Sequence, residues 1–323
     1  MLLSIVLVIL GLFLLVVGGE VLLRGAVGLA TLLKLTPAVI GLTVVAAGTS
    51  VPELAVSAIA AWQDKVDIAV ANVVGSNIFN ITVIIGMCAV IYPLTIVGNT
   101  IQLEYPVLVI VTLLCLVIAQ DGSINFLDAI LCIVIYVSFT AYLVNLVRQQ
   151  LTVSQKEVLQ SEVKELTVDP AKPRFWKCAL FIITGTALLG GGAHSTVTGA
   201  SELARMMGWT ERIIGLTIVS IGTGLPEVVA SLVSSIRGRS DMAIGNVIGS
   251  NLFNILMILG LSGLMRPLPV QESILQMDCR WMMGVTLVLF PLMFTGKKIN
   301  RWEGVLLLLV YAVYLFLLIT VPE

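Results

Sequence analysis

The sequence predicts an all-α polytopic membrane protein whose ten transmembrane helices form two inverted five-helix repeats. Four observations predict it. The 323 residues are 58% hydrophobic and only 11% charged, against about a quarter charged in soluble domains. Apolar runs near twenty residues, long enough to cross a ~30 Å hydrocarbon core, recur from end to end. Two stretches, Gly41–Gly86 and Gly215–Gly260, repeat each other without gaps at an offset of 174, with 21 identities in 46 positions. Finally, a polar segment at 148–174 divides the apolar spans five and five. An odd number of spans per copy makes the second copy enter the bilayer in the opposite sense to the first.

The spans expected in order are 2–30, 37–61, 67–92, 104–119, 124–147, 175–198, 210–236, 241–265, 281–296 and 302–321. Their long Leu, Val and Ile stretches lack the alternation of an outer-membrane strand, so they read as helices. The first run has no basic leader and continues past Gly18 without a small-residue cleavage site, so it reads as a retained span. Three units follow: a first repeat at 1–147, a linker at 148–174 and a second repeat at 175–323. The linker, RQQLTVSQKEVLQSEVKELTVDPAKPR, is polar, mixed in charge and closed by two prolines. Five cysteines fall one per apolar segment without CxxC spacing and read as small buried hydrophobes.

Basic residues set the orientation. With the N-terminus outside, inner loops hold twelve Lys and Arg: Lys34, Arg148, Lys156, Lys164, Lys172, Arg174, Lys177, Arg237, Arg239, Lys297, Lys298 and Arg301. Outer loops hold five: Lys65, Arg205, Arg212, Arg266 and Arg280. Both termini are therefore expected outside and the linker in the cytoplasm, in a prokaryotic inner membrane.

What repeats is polar, and polar groups in lipid are costly enough to mark a site. Within 37–61, Gly48 and Pro52 break the helical ladder, freeing carbonyls expected near Ala46 and Ala47. Ser50, Glu53 and Ser57 share one face at i, i+3 and i+4 spacing, and Ser220, Thr223, Glu227 and Ser231 repeat the arrangement. In 67–92, Asn72, Ser76 and Asn80 form a polar stripe that Asn246, Ser250 and Asn254 reproduce. A shell of hard oxygens with two formal negative charges suits Ca²⁺ or Na⁺. The single histidine excludes a His-rich transition-metal site.

The paired motifs GTSVPE…ANVVGSNIFN and GTGLPE…GNVIGSNLFN resemble the two alpha-repeats of the sodium/calcium exchangers, most closely their short prokaryotic members. The resemblance implies a secondary-active antiporter exchanging Ca²⁺ for Na⁺ by alternating access at a midplane site. It implies Glu53 and Glu227 as central carboxylates, with Thr49, Ser50, Ser76, Asn80, Thr223, Ser250 and Asn254 as supporting ligands. Carbonyls of Ala46 and Ser220 would serve outlying sodium sites. The substrates would be inorganic cations, with no cofactor, no nucleic acid and no obligatory protein partner. Two positions depart from the family pattern: Gly224 replaces a usual serine, and Asn254 stands where several exchangers carry an acid.

Other readings stay beside these. Asn72 and Asn246 read more readily as packing than as ligands, Asp67 and Asp241 as N-caps, and Glu20 with Arg24 as an i, i+4 pair. His194 aligns with Glu20 and is a weaker candidate for a gate residue. A passive cation channel, coupling to H⁺ or K⁺, and an intramembrane hydrolase using the two carboxylates are the functional alternatives.

Overall fold

The computed structural model describes residues 1–63, 66–96, 100–150, 174–208 and 220–320. Most of the 148–174 linker, the first part of the expected 210–236 span and the N-cap reading of Asp67 lie outside the described residues. Among those described, eight helices are long and apolar enough to cross a membrane, and one bent pair makes a ninth.

In chain order these are α1 (Leu2–Leu33), the bent pair α2 (Pro37–Thr49) and α3 (Val51–Trp62), α4 (Ile68–Ile91), α5 (Thr100–Ile118) and α6 (Phe126–Leu146). There follow α7 (Phe175–Met206), a single turn Ser220–Thr223, α8 (Leu225–Ile236), α9 (Ser240–Met265), α10 (Ile274–Lys297) and α11 (Arg301–Leu318). Four two-residue strands are the exception to an all-helical expectation. β1 (Leu94–Thr95) pairs with β4 (Lys298–Ile299), and β2 (Ser123–Ile124) with β3 (Leu268–Pro269), both antiparallel. Each pair ties two interhelical loops together and satisfies backbone groups that the helices cannot serve.

Local sequence explains where the helices stop and bend. Lys34 closes α1 in the left-handed region at φ 55°, and Thr36 accepts from the Val39 N–H to open α2, with Pro37 in its first turn. The break between α2 and α3 bends the chain by 46° at Ser50, with Pro52 in the first turn of α3. Gly224 and Pro226 open α8 in the same way. Wide π-turns occupy Asn80–Ile84 and Thr100–Glu104, and again Asn254–Ile258 and Ile274–Asp278. Each second-half π-turn lies 174 residues after its first-half counterpart, so the repeat extends to backbone defects, which cluster at functional sites.

Small residues set the packing, as in membrane interiors generally. Gly11 lies against Gly192 and Thr196, Gly18 against Leu188 and Leu189, and Gly25 against Cys178 and Ile182. The numbers fall along α7 as they rise along α1, so the two helices run antiparallel. Their contact admits no side chain: a Cβ on Gly185 would stand 2.6 Å from the Leu22 nitrogen. α4 and α9 are the most buried of the long spans. α4 leans on α11 where Gly86 meets Gly304, and α9 leans on α6 where Gly260 meets Ala129 and Ile133. All five cysteines are free and buried, as their spacing suggested.

The outer surface is apolar. Phe13 and Val16 on α1, Leu127 and Val134 on α6, and Leu309 and Val313 on α11 are all exposed, which fits a lipid-facing belt rather than an aqueous surface. Trp62, Trp176 and Trp302 stand exposed at helix ends, where indole side chains anchor at the interface.

Candidate cation site

The break after Thr49 delivers its side chains to the middle of the molecule. Thr49, Ser50, Glu53 and Ser57 are all buried, as are Glu227 and Ser231 from α8 and Asn246, Ser250 and Asn254 from α9. The two halves meet through these groups. Ser50 Oγ donates to Glu227 Oε1 at 3.0 Å, and Thr49 Oγ1 reaches Asn246 Oδ1 at 3.4 Å. The carboxylates of Glu53 and Glu227 lie within electrostatic reach of each other.

What remains unpaired is more telling. Among the described residues, nine buried side-chain oxygens lack a hydrogen-bond partner, and four of them belong to expected ligands: Glu53 Oε2, Glu227 Oε2, Ser250 Oγ and Asn254 Oδ1. A buried polar atom normally finds a partner, and a buried charge must be compensated. Oxygens drawn from both repeats and left with free lone pairs are the donor type that a hard cation takes.

The remaining expected residues divide. Asn80 is buried and its amide nitrogen donates to Asn251 Oδ1 at 3.0 Å; Ser76 is half-buried on the same helix. Thr223 lines a cavity of about 230 Å³ with Pro52, Ala193, His194 and Val197. Ser220 opens the turn before α8, but its side chain lies outside the described residues. The expected freeing of the Ala46 carbonyl does not occur. It accepts the Ser50 N–H at 3.0 Å and the Thr49 hydroxyl at 3.3 Å. The donor missing from the ladder is that of Pro52, which deprives the Gly48 carbonyl instead.

Asn72 and Asn246 bind neighbouring helices. Asn72 Nδ2 donates to Ser57 Oγ at 2.9 Å and to the Glu53 carbonyl at 3.2 Å, while Asn246 Nδ2 donates to Ser231 Oγ at 2.9 Å. Asp241 falls in the first turn of its helix, with Arg239 at the N-cap position, so its charge meets the helix dipole rather than capping it. Glu20 pairs with Arg24 at 3.1 Å as expected, and also with Arg237 across the molecule at 3.1 Å. His194, its counterpart, stands at the cavity beside Thr223.

Gly224 is explained by its neighbour. Its φ of −81° is open to any residue, but a Cβ there would meet the Phe79 ring at 2.9 and 3.2 Å. The hydroxyl absent from the second copy would crowd an aromatic edge that itself packs edge-to-face against Tyr311. Sequence reasoning missed Asn77 and Asn251. Both are fully buried and both survive in the repeated GSN triplet, a signal that was available, but they lie one residue off the polar stripe.

Comparison with known proteins agrees with this geometry. The family model described as sodium/calcium exchanger protein matches residues 3–145 and 177–320. The chain belongs to the sodium/calcium exchanger family. Among its relatives, CaxA of Alkalimonas amylolytica, which carries a provisional antiporter name, is 38% identical over 98% of this chain and 99% of that protein. The sodium/calcium exchanger MaX1 of Methanosarcina acetivorans is 31% identical over 96% of each. The solved structure of the sodium-calcium exchanger NCX_Mj, soaked with zero Na⁺ and Ca²⁺, superposes with a TM-score of 0.83 at 28% identity, covering 98% of this chain and 99% of that one. This exchanger-family chain is thus a short prokaryotic-type, all-helical polytopic membrane protein and a cation/Ca²⁺ antiporter, akin to transporters rather than enzymes.

Proposed function

We propose that the chain exchanges Ca²⁺ for Na⁺ by alternating access at the shell around Glu53 and Glu227. The carrying observation is the set of four buried oxygens without hydrogen-bond partners, two of them carboxylate oxygens, contributed by both halves. A shell with two negative charges balances one divalent ion or two monovalent ones, which is what competition between Ca²⁺ and Na⁺ for one site needs. The ligand set is Glu53, Glu227, Thr49, Ser50, Ser76, Asn80, Thr223, Ser250 and Asn254, with a main-chain oxygen at Ser220; the Ala46 carbonyl, engaged by Ser50 and Thr49, is left out. MaX1 and NCX_Mj bear sodium/calcium exchanger names, which supports the same pair of ions here.

Two inverted five-helix repeats, 1–147 and 175–323, supply the alternation. The antiparallel course of α1 and α7 supports this arrangement. So do the loop pairings: β1 with β4 and β2 with β3 require an even number of crossings between paired loops. That parity is met when Ser220–Ile236 forms part of one crossing. Both termini lie outside and the 148–174 linker in the cytoplasm of an inner membrane, following the basic residues.

The test is Ca²⁺ uptake into sealed proteoliposomes with Na⁺, K⁺ and H⁺ gradients imposed one at a time. Uptake that follows the Na⁺ gradient and stops on its collapse supports the reading. Uptake driven only by K⁺ or H⁺ reassigns the coupling ion, and uptake independent of any counter-gradient identifies a channel.

A further inference from the structure

The coordinating shell rests on two asparagines that contribute nothing to it directly. Asn77 and Asn251, 174 residues apart, are each 1% exposed where α4 crosses α9. Asn77 Nδ2 donates to the main-chain carbonyl of Asn251 at 3.3 Å, and Asn251 Nδ2 donates to the main-chain carbonyl of Asn77 at 3.3 Å. A main-chain carbonyl can only accept, so each amide nitrogen must face the opposite backbone. Asn77 Nδ2 also points to the thioether of Met282 at 3.7 Å, again an acceptor. The orientation of both amides is therefore determined, and each side-chain oxygen is turned the other way.

Those oxygens face the expected ligands. Asn77 Oδ1 accepts from Asn254 Nδ2 at 3.1 Å, and Asn251 Oδ1 accepts from Asn80 Nδ2 at 3.0 Å. With its nitrogen held, Asn254 keeps its own Oδ1 buried and without a hydrogen-bond partner among the described residues.

We propose that Asn77 and Asn251 are positioning residues that turn the side-chain oxygens of Asn254 and Asn80 toward the transported cation and select an amide over a carboxylate at both positions. The inference rests on the cation-site reading above. An aspartate at 254 would set acceptor against acceptor. Flipping Asn77 to relieve this would set its oxygen against the Asn251 carbonyl. The neutral residue at 254 is then dictated by its partner across the repeat. Because the bonds run between halves, they also keep Asn80 and Asn254 aligned with each other.

The test is a double-mutant cycle on the purified full-length protein, reading Ca²⁺ affinity, the Na⁺ concentration that displaces Ca²⁺, and thermal stability. Asn77→Ala should weaken Ca²⁺ binding about tenfold, the order expected for one misdirected oxygen ligand, and should have no further effect in an Asn254→Ala background. The cycle of Asn251→Ala with Asn80→Ala should behave alike. Asn254→Asp should fail to strengthen Ca²⁺ binding although it adds a negative charge, and this variant keeps the proposal testable if alanine at 77 impairs folding. Lower stability with unchanged Ca²⁺ affinity, additive losses in the cycles, or a tenfold gain with Asn254→Asp would each overturn the proposal. Glu227→Gln separates the two levels. If it leaves Ca²⁺ binding intact, the site reading fails; if it removes binding while the cycles are additive, only the positioning role fails.

Discussion

A glutamate in a membrane interior persists only when something compensates its charge, and Glu53 and Glu227 each retain a buried oxygen with no hydrogen bond to do so. Ca²⁺ should therefore stabilise the native state, by about 2.7 kcal/mol when present at a hundredfold excess over its dissociation constant; thermal unfolding with and without Ca²⁺ measures this. Glu53→Gln and Glu227→Gln should each abolish Ca²⁺ transport while leaving folded protein, since either change halves the negative charge facing a dehydrated divalent ion. Gly224→Ser should lower stability by about 1–3 kcal/mol, as overpacking does, because the new Cβ enters the Phe79 ring. It should not tighten Na⁺ binding; an unchanged melting temperature with tighter Na⁺ binding would refute that account. At this scale the sequence marked the carboxylates, hydroxyls and stripe asparagines through their repetition at period four. The Phe79 obstruction and the Asn77–Asn251 exchange were not legible, because both depend on how elements from opposite halves meet.

Among the elements, the two equivalent helices α1 and α7 sit differently. On α1, Gly19 packs against Val229 and Val233 of α8, with Val side-chain carbons 3.1–3.2 Å from where its Cβ would be, and Glu20 pairs with Arg237 beside them. On α7, the counterpart residues Ala193 and His194 instead line the cavity toward Pro52 and Thr223. Both helices thus border cavities, α1 one of about 600 Å³ shared with Val233, Ile236 and Arg237 of α8, and α7 one of about 230 Å³. Glu20 and Arg237 are partly exposed, so their pair contributes about 1 kcal/mol at most. Because Glu20, Val233 and Arg237 all line the α1–α8 cavity, Arg237→Ala should raise thiol-reagent access to a cysteine introduced at Val233 by up to about fivefold; unchanged access would mean that the ion pair does not restrict that cavity. The breaks at Ser50 and before Leu225 were readable from Pro52 and Pro226. The π-turns were not, since a widened turn leaves no mark in the pattern of apolar residues.

For the whole molecule, hydropathy carried the reading of the apolar belt, whereas the loop pairings and the glycine seam between α1 and α7 depend on contacts between segments distant in the chain and left no signal in the span count. The proposed orientation rests on twelve basic residues against five. A single cysteine introduced in the 148–174 linker should resist impermeant labelling from outside in intact cells and react after lysis; the five native cysteines are buried and interfere little. Labelling from outside would reverse the topology. The central claim is that one buried shell, shared by both halves, takes Ca²⁺ and Na⁺ in turn. Its most direct test is equilibrium Ca²⁺ binding to the purified protein titrated with Na⁺. The account predicts that Na⁺ displaces Ca²⁺ competitively and that Glu53→Gln and Glu227→Gln each remove the Ca²⁺ site. Ca²⁺ binding indifferent to Na⁺, or retained in both variants, would contradict it.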